Sequence, residues 1–167
     1  MRKFFTFVCM TFSISVLALF GKNATEGVAS RYAGNTDTPE KYYTNPVIRK
    51  SVPDPSVIRD PRTKLYYLYG TEDTRNIPIY RSENLVDWTQ VSTVFTDTAR
   101  PQGGLWAPEI CYVKNKYVLF YSLWNGDVWT SLIGYAVADS PEGPFVDKGA
   151  VIKSRDIGVE QSIDQYF

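Results

Sequence analysis

Two aspartates, Asp54 and Asp164, stand out because they open the same kind of segment in different parts of the chain. Asp54-Pro55-Ser56-Val57-Ile58 leads into Lys64-Leu65-Tyr66-Tyr67-Leu68-Tyr69-Gly70. A second pass opens with Ala107-Pro108-Glu109-Ile110-Cys111 and continues through Lys116-Tyr117-Val118-Leu119-Phe120-Tyr121-Ser122. A third opens with Ser162-Ile163-Asp164-Gln165-Tyr166-Phe167. Pro55 to Pro108 is 53 residues, Lys64 to Lys116 is 52, and Trp88 to Phe145 is 57. A period near 55 built of short strands signals radial or stacked sheet repeats. Asp54, Ala107 and Asp164 then occupy one phase of three successive repeats. Carboxylates brought from separate repeats to face one another across a pocket are suited to glycoside hydrolysis, where paired carboxyl groups flank the scissile bond.

The elements that must position these residues read as strands. In the first repeat they are Val57–Ile58, Leu65–Tyr69, Ile77–Tyr80 and Trp88–Val94, separated by turns at Asp60-Pro61-Arg62, Gly70-Thr71-Glu72-Asp73 and Ser82-Glu83-Asn84. The second repeat offers Glu109–Val113, Lys116–Ser122, Ile133–Ala138 and Phe145–Ile152. No stretch holds a helical period. Four antiparallel strands per repeat predict an all-β fold of β-propeller blades. The expected layout is blade one over 45–100, blade two over 101–155 and the start of blade three over 156–167. The first strand of each blade lines the central channel, so the three equivalent positions converge at one channel end. The third pass is expected to stop within the first strand of its blade, leaving an unpaired edge at 162–167.

Composition narrows the partners. The chain carries 18 basic and 18 acidic residues and no His, for a formal net charge of zero. No basic field favours nucleic acid or an anionic membrane. The aromatics, 12 Tyr, 9 Phe and 4 Trp, suit pleated β cores and also suit stacking on sugar faces. Trp88 and Phe145 share a phase and are expected in the core. Trp106 precedes the channel position of blade two and is a candidate wall for a sugar ring or a plug at the blade interface. Trp124 and Trp129 flank Asn125-Gly126-Asp127 and either approach a groove or form a rim. Glu109 either lines the pocket or pairs with a neighbouring loop. Glu142, in a turn between outer strands, is expected to be solvated and remote from the channel. Arg59-Asp60-Pro61 is read as a strand-end turn.

Residues 1–29 are read as a signal peptide and cleavage region. Arg2 and Lys3 precede an uncharged run from Phe4 to Phe20, a basic start followed by an apolar segment. An uncleaved anchor is the alternative, since 17 residues lie at the short end of a membrane span. Export to the periplasm or outside the cell is the expectation. Residues 30–44 read as a polar leader. Cys9 leaves with the signal, so Cys111 has no partner for an internal disulfide and is expected as a small buried hydrophobe.

Taken together, Asp54-Pro55-Ser56-Val57-Ile58, Trp106-Ala107-Pro108-Glu109-Ile110, Ile133-Gly134-Tyr135-Ala136, Ser140-Pro141-Glu142-Gly143-Pro144-Phe145 and Ser162-Ile163-Asp164 resemble glycoside hydrolase family 43. The resemblance covers 45–167. It implies a five-bladed propeller that cleaves arabinose- or xylose-containing plant polysaccharide with inversion, using three carboxylates. By that resemblance Asp54 is the general base, and Asp164 orients the acid and raises its pKa by like-charge proximity. The general acid, a Glu of a later blade, has no matching position. The sugar-contacting candidates are Trp106, Glu109 and Trp124. No cofactor is implied, and no metal site is assigned in this chain, although a central calcium belongs to the full-length fold. The partner is an oligo- or polysaccharide, with no protein partner evident. One departure is Gln165, where the family usually has proline. The expectation for the 167 residues alone is little hydrolytic activity. The alternative is a non-catalytic carbohydrate-binding or structural propeller fragment.

Overall fold

A computed structural model describes residues 42–71, 76–126 and 130–167. The segments read as signal and most of the leader lie outside the described residues, as do Asp127 and Trp129.

Among the described residues, eight strands form two antiparallel sheets of four. The first contains β1 (Ser56–Arg59), β2 (Tyr66–Tyr69), β3 (Pro78–Ser82) and β4 (Thr89–Thr93), ordered β1-β2-β3-β4. The second contains β5 (Gly104–Val113), β6 (Lys116–Trp124), β7 (Leu132–Ala138) and β8 (Val146–Lys153), ordered β5-β6-β7-β8. Each strand pairs with the next in sequence, so each sheet is a meander, the blade expected from the repeat. A one-turn helix, α1 (Ser154–Ile157), follows β8 and ends at Gly158, which takes the left-handed conformation at φ 71°.

The two sheets share one apolar cluster. Tyr69, Ile77, Ile79, Val94 and Phe95 come from the first; Leu105, Leu119, Tyr121, Ala136 and Phe145 come from the second. Alternation along β6 aims Tyr117, Leu119 and Tyr121 at the first sheet, because successive strand residues face opposite sides. Two edge-to-face ring pairs cross the seam: Tyr69 on Phe145 at 6.1 Å and Phe95 on Tyr121 at 5.6 Å. Such pairs contribute about 1 kcal/mol each beyond the area they bury. Phe145 is buried as expected. Trp88 is not a core residue. It is half-exposed, and its indole N–H donates to Leu85 O at 2.9 Å, closing the turn before β4. Cys111 is likewise only half-buried; its thiol donates to Val118 O across the β5–β6 pair.

Two further differences from the sequence reading have physical causes. β5 starts at Gly104, five residues before Glu109, because the ladder resumes on the far side of Pro108. Trp106 faces Ser122 and Glu109 faces Phe120, so Ala107 and Pro108 together oppose Tyr121 in a bulge. Pro108 has no N–H to donate, and it sits where strand prolines are found, in a bulge of an edge strand. Residues 162–167 form no strand: no ladder partner lies beside them among the described residues. They are docked instead through Ser162, which is buried against Ser131 and Ser154.

Candidate active site

The three positions that share a phase also share a backbone conformation. Asp54 has φ 48°, Ala107 φ 43° and Asp164 φ 58°. Few non-glycine residues adopt positive φ, and aspartate does so more readily than alanine. The same positive-φ backbone thus recurs at the equivalent position of each repeat, held there by the surrounding bonds.

Around Asp54, packing explains the placement. Gly70 admits the chain segment before Asp54: a Cβ there would meet Val52 Cγ1 at 2.3 Å. With 52–53 lying that close, Thr71 N–H donates to Pro53 O at 2.9 Å. Thr71 Oγ1 then donates to Asp54 Oδ2 at 2.9 Å and accepts the Ala107 N–H at 2.8 Å. One hydroxyl therefore joins the channel positions of the two sheets. The Asp54 side chain is otherwise exposed, leaving a carboxylate oxygen open to water.

Asp164 is held from the second sheet. Its N–H donates to Ser122 Oγ at 3.0 Å. Ser122 in turn donates to Gln165 Oε1 at 3.0 Å, and Gln165 Nε2 donates to Ala107 O. Ala107 therefore receives Asp54 through its N–H side and Asp164 through its carbonyl side.

Glu109 pairs across the seam. Ser56 Oγ donates to Glu109 Oε2 at 2.8 Å and accepts the Ile110 N–H at 3.2 Å. Trp106 and Trp124 stack on each other at 5.2 Å with 27° between planes, both half-buried. Gly104 makes room for the Trp106 ring: a Cβ there would lie 2.9 Å from Trp106 Nε1. A Cβ on Gly103 would instead meet Asn125 Oδ1 at 2.3 Å and the Trp124 backbone carbonyl at 2.7 Å.

Glu142 is held away from these groups. It accepts from Arg81 Nη1 at 2.9 Å and from Tyr67 OH at 3.2 Å, and Ser92 Oγ donates to its backbone carbonyl at 2.7 Å. It is half-buried rather than solvated, because the β7–β8 turn docks on the first sheet. The described residues contain no group of three or more His, Cys, Asp or Glu side chains able to hold a metal ion.

Thr71, Ser122 and Gln165 were not singled out as holding the site from composition or motif. Their signal is present only in phase: Thr71 ends the first repeat's second strand region, and Ser122 lies near the end of the second repeat's β6.

The family model for Glycosyl hydrolases family 43 matches residues 43–166. The extracellular endo-alpha-(1->5)-L-arabinanase 2 of Bacillus subtilis (strain 168) is 29% identical over 131 residues, covering 68% of this chain and 27% of that protein. Among solved structures, the endo-arabinase from Bacteroides thetaiotaomicron VPI-5482 aligns with a TM-score of 0.55 and 28% identity, over 66% of this chain and 39% of that one. The Cellvibrio cellulosa alpha-L-arabinanase complexed with arabinohexaose aligns with a TM-score of 0.52 and 32% identity, over 62% of this chain and 36% of that one. The chain spans well under half the length of each of these proteins. No helix among the described residues is long and apolar enough to cross a membrane.

Proposed function

The chain belongs to glycosyl hydrolases family 43, and we propose that it supplies two of the acting carboxylates of an exported glycosidase for arabinose-containing polysaccharide. Asp54 acts as the general base. Thr71 occupies its Oδ2, which leaves Oδ1 to take a proton from the attacking water. Asp164 orients the proton donor and, as a like charge, favours that donor's protonated form. Inversion requires base and acid about 6.5–9.5 Å apart so that water fits between sugar and base. No residue of the chain matches the proton donor's position. Trp106 and Trp124 offer a flat apolar face on which a sugar ring can stack, and Glu109, through Ser56, ties the strand that carries Trp106 to the first sheet. The names of the arabinanase relatives support the substrate class, and their description as extracellular supports the reading of residues 1–29 as an export signal.

The observation that carries this reading is the equivalence of Asp54 and Asp164: the same phase, the same left-handed backbone, and attachment to the same residue, Ala107. The test is an amide NMR titration of the 167-residue chain with arabino-oligosaccharide, paired with a sugar-release assay on arabinan. Shifts centred on 54, 106, 107 and 164, with little sugar released, are expected. Release matching that of a complete arabinanase would overturn the assignment of the donor to residues this chain does not match. Shifts confined to other parts of the surface would overturn the site itself.

The Trp106–Trp124 stack favours a second reading, a binding module without chemistry. Under it, Asp54→Ala leaves oligosaccharide affinity unchanged and Trp106→Ala abolishes it. Under the glycosidase reading both substitutions weaken binding, because Asp54 faces the bound sugar.

A further inference from the structure

The residue after the second aspartate is glutamine, where the family resemblance leads one to expect proline. Proline would fix φ and supply no hydrogen-bonding side chain. Glutamine supplies a donor and an acceptor, and both are used. Nε2 donates to Ala107 O, while Oε1 accepts from Ser122 Oγ at 3.0 Å. Ser122 is fully buried, so its hydroxyl has no bulk water to turn to. It is committed to the Asp164 N–H on one side and Gln165 on the other. Breaking either bond leaves a buried polar group unsatisfied.

The opposite side of Ala107 is tied to Asp54 through Thr71. We propose that Gln165 is a positioning residue: it clamps Asp164 to Ala107 and so sets the second carboxylate relative to Asp54. The backbone of Asp164, at φ 58°, is held by this clamp in a region that few non-glycine residues occupy, though aspartate enters it more readily than most. What the two carboxylates do rests on the glycosidase reading; the clamp rests on the bonds just described. Its consequence for function is geometric, because displacement of a reacting group by about 1 Å can cost on the order of a hundredfold in rate.

The test is amide hydrogen exchange on the full 167-residue chain, followed by NMR. In Gln165→Ala, protection of the Asp164 N–H should fall about five- to tenfold, the worth of one buried hydrogen bond, while Leu119 in β6 stays protected. Gln165→Glu keeps the size and the acceptor but loses the donor at neutral pH. Its Asp164 protection factor should be low near neutrality and recover below about pH 4, where the introduced carboxyl regains a proton to donate to Ala107 O. That recovery is read within one folded protein, so it does not depend on the alanine variant folding. Unchanged protection of Asp164 in Gln165→Ala, or protection in Gln165→Glu that tracks the parent at every pH, would overturn the clamp. Oligosaccharide titration of the parent chain separates the two ideas: failure to shift 54 and 164 sinks the glycosidase reading and leaves the clamp to the exchange data.

Discussion

The phenolic hydroxyl of Tyr117, in the second sheet, donates to the fully buried carboxylate of Asp60 in the β1–β2 turn of the first. Asp60 also accepts from Thr63 Oγ1 at 2.6 Å, Thr63 N at 3.2 Å and Arg62 N at 3.1 Å. Arg62 closes the group by donating to Tyr117 at 2.9 Å and to Asp139 O at 3.1 Å. The triplet Arg59-Asp60-Pro61 is thus a turn, as its sequence suggests, and the turn is also a fastener between the sheets.

This fastener predicts acid sensitivity. Burial pushes the Asp60 carboxyl up, but the donors from Thr63, Tyr117 and Arg62 outweigh it and bring the pKa down to about 2. A folded pKa below the unfolded value of about 3.9 stabilises the fold above that value, and the benefit is lost as pH falls through 2. The full difference corresponds to about 2.6 kcal/mol, of which about 2 is lost between pH 5 and pH 2. Denaturant unfolding of the parent chain should therefore weaken by about this amount between pH 5 and pH 2. Asp60→Asn should be less stable at pH 7 and should show a flatter profile across that interval. A variant whose acid profile superimposes on the parent's would show that Asp60 is not the titrating group.

A steric prediction concerns Gly134, in β7 opposite Tyr121. An added Cβ would fall 2.4 Å from Tyr121 Cζ and 2.5 Å from its hydroxyl. Tyr121 has little room to yield: it is buried, meets Phe95 edge to face and donates to Asp147 Oδ1 at 2.6 Å. Gly134→Ala should cost about 1–3 kcal/mol, in the range of overpacked cores. Chemical denaturation measures it, and a cost below about 0.5 kcal/mol, the scale of a surface change, would mean that the ring moves freely.

Much of this is legible in the sequence, for a definable reason. A repeated strand pattern places residues by phase, and phase located Asp54, Ala107 and Asp164 at positions that prove to share one backbone turn. Phase also separated Glu142 from them, and Arg81 and Tyr67 do hold it elsewhere. What phase does not carry is long-range hydrogen bonding. Thr71, Ser122 and Gln165 are ordinary polar residues by type, and their partners lie 17 to 58 residues away. Trp88 departs for a related reason: sharing a phase with Phe145 points to the core, but its indole N–H donates to the nearby Leu85 O and the ring stays at the surface. The start of β5 lies beyond Pro108, which argues against a ladder; at the sheet edge and in a bulge, the strand runs through it.

Ala107 tests whether the shared turn is strained. Alanine at φ 43° is disfavoured by its Cβ, whereas glycine takes that conformation without penalty but loses more chain entropy on folding. These terms oppose each other at about 1 kcal/mol apiece, so Ala107→Gly should leave stability within about 0.5 kcal/mol of the parent. Ala107→Val should be clearly destabilising, because a β-branched side chain at positive φ is a severe outlier and because the position is buried against its neighbours. It should also loosen Thr71 and Gln165, whose bonds to the Ala107 N–H and carbonyl depend on this backbone. Thermal unfolding of both variants, with amide exchange at 107 and 164, measures the two effects together. If the valine variant keeps both stability and protection, the left-handed turn is not what holds the two aspartates in place.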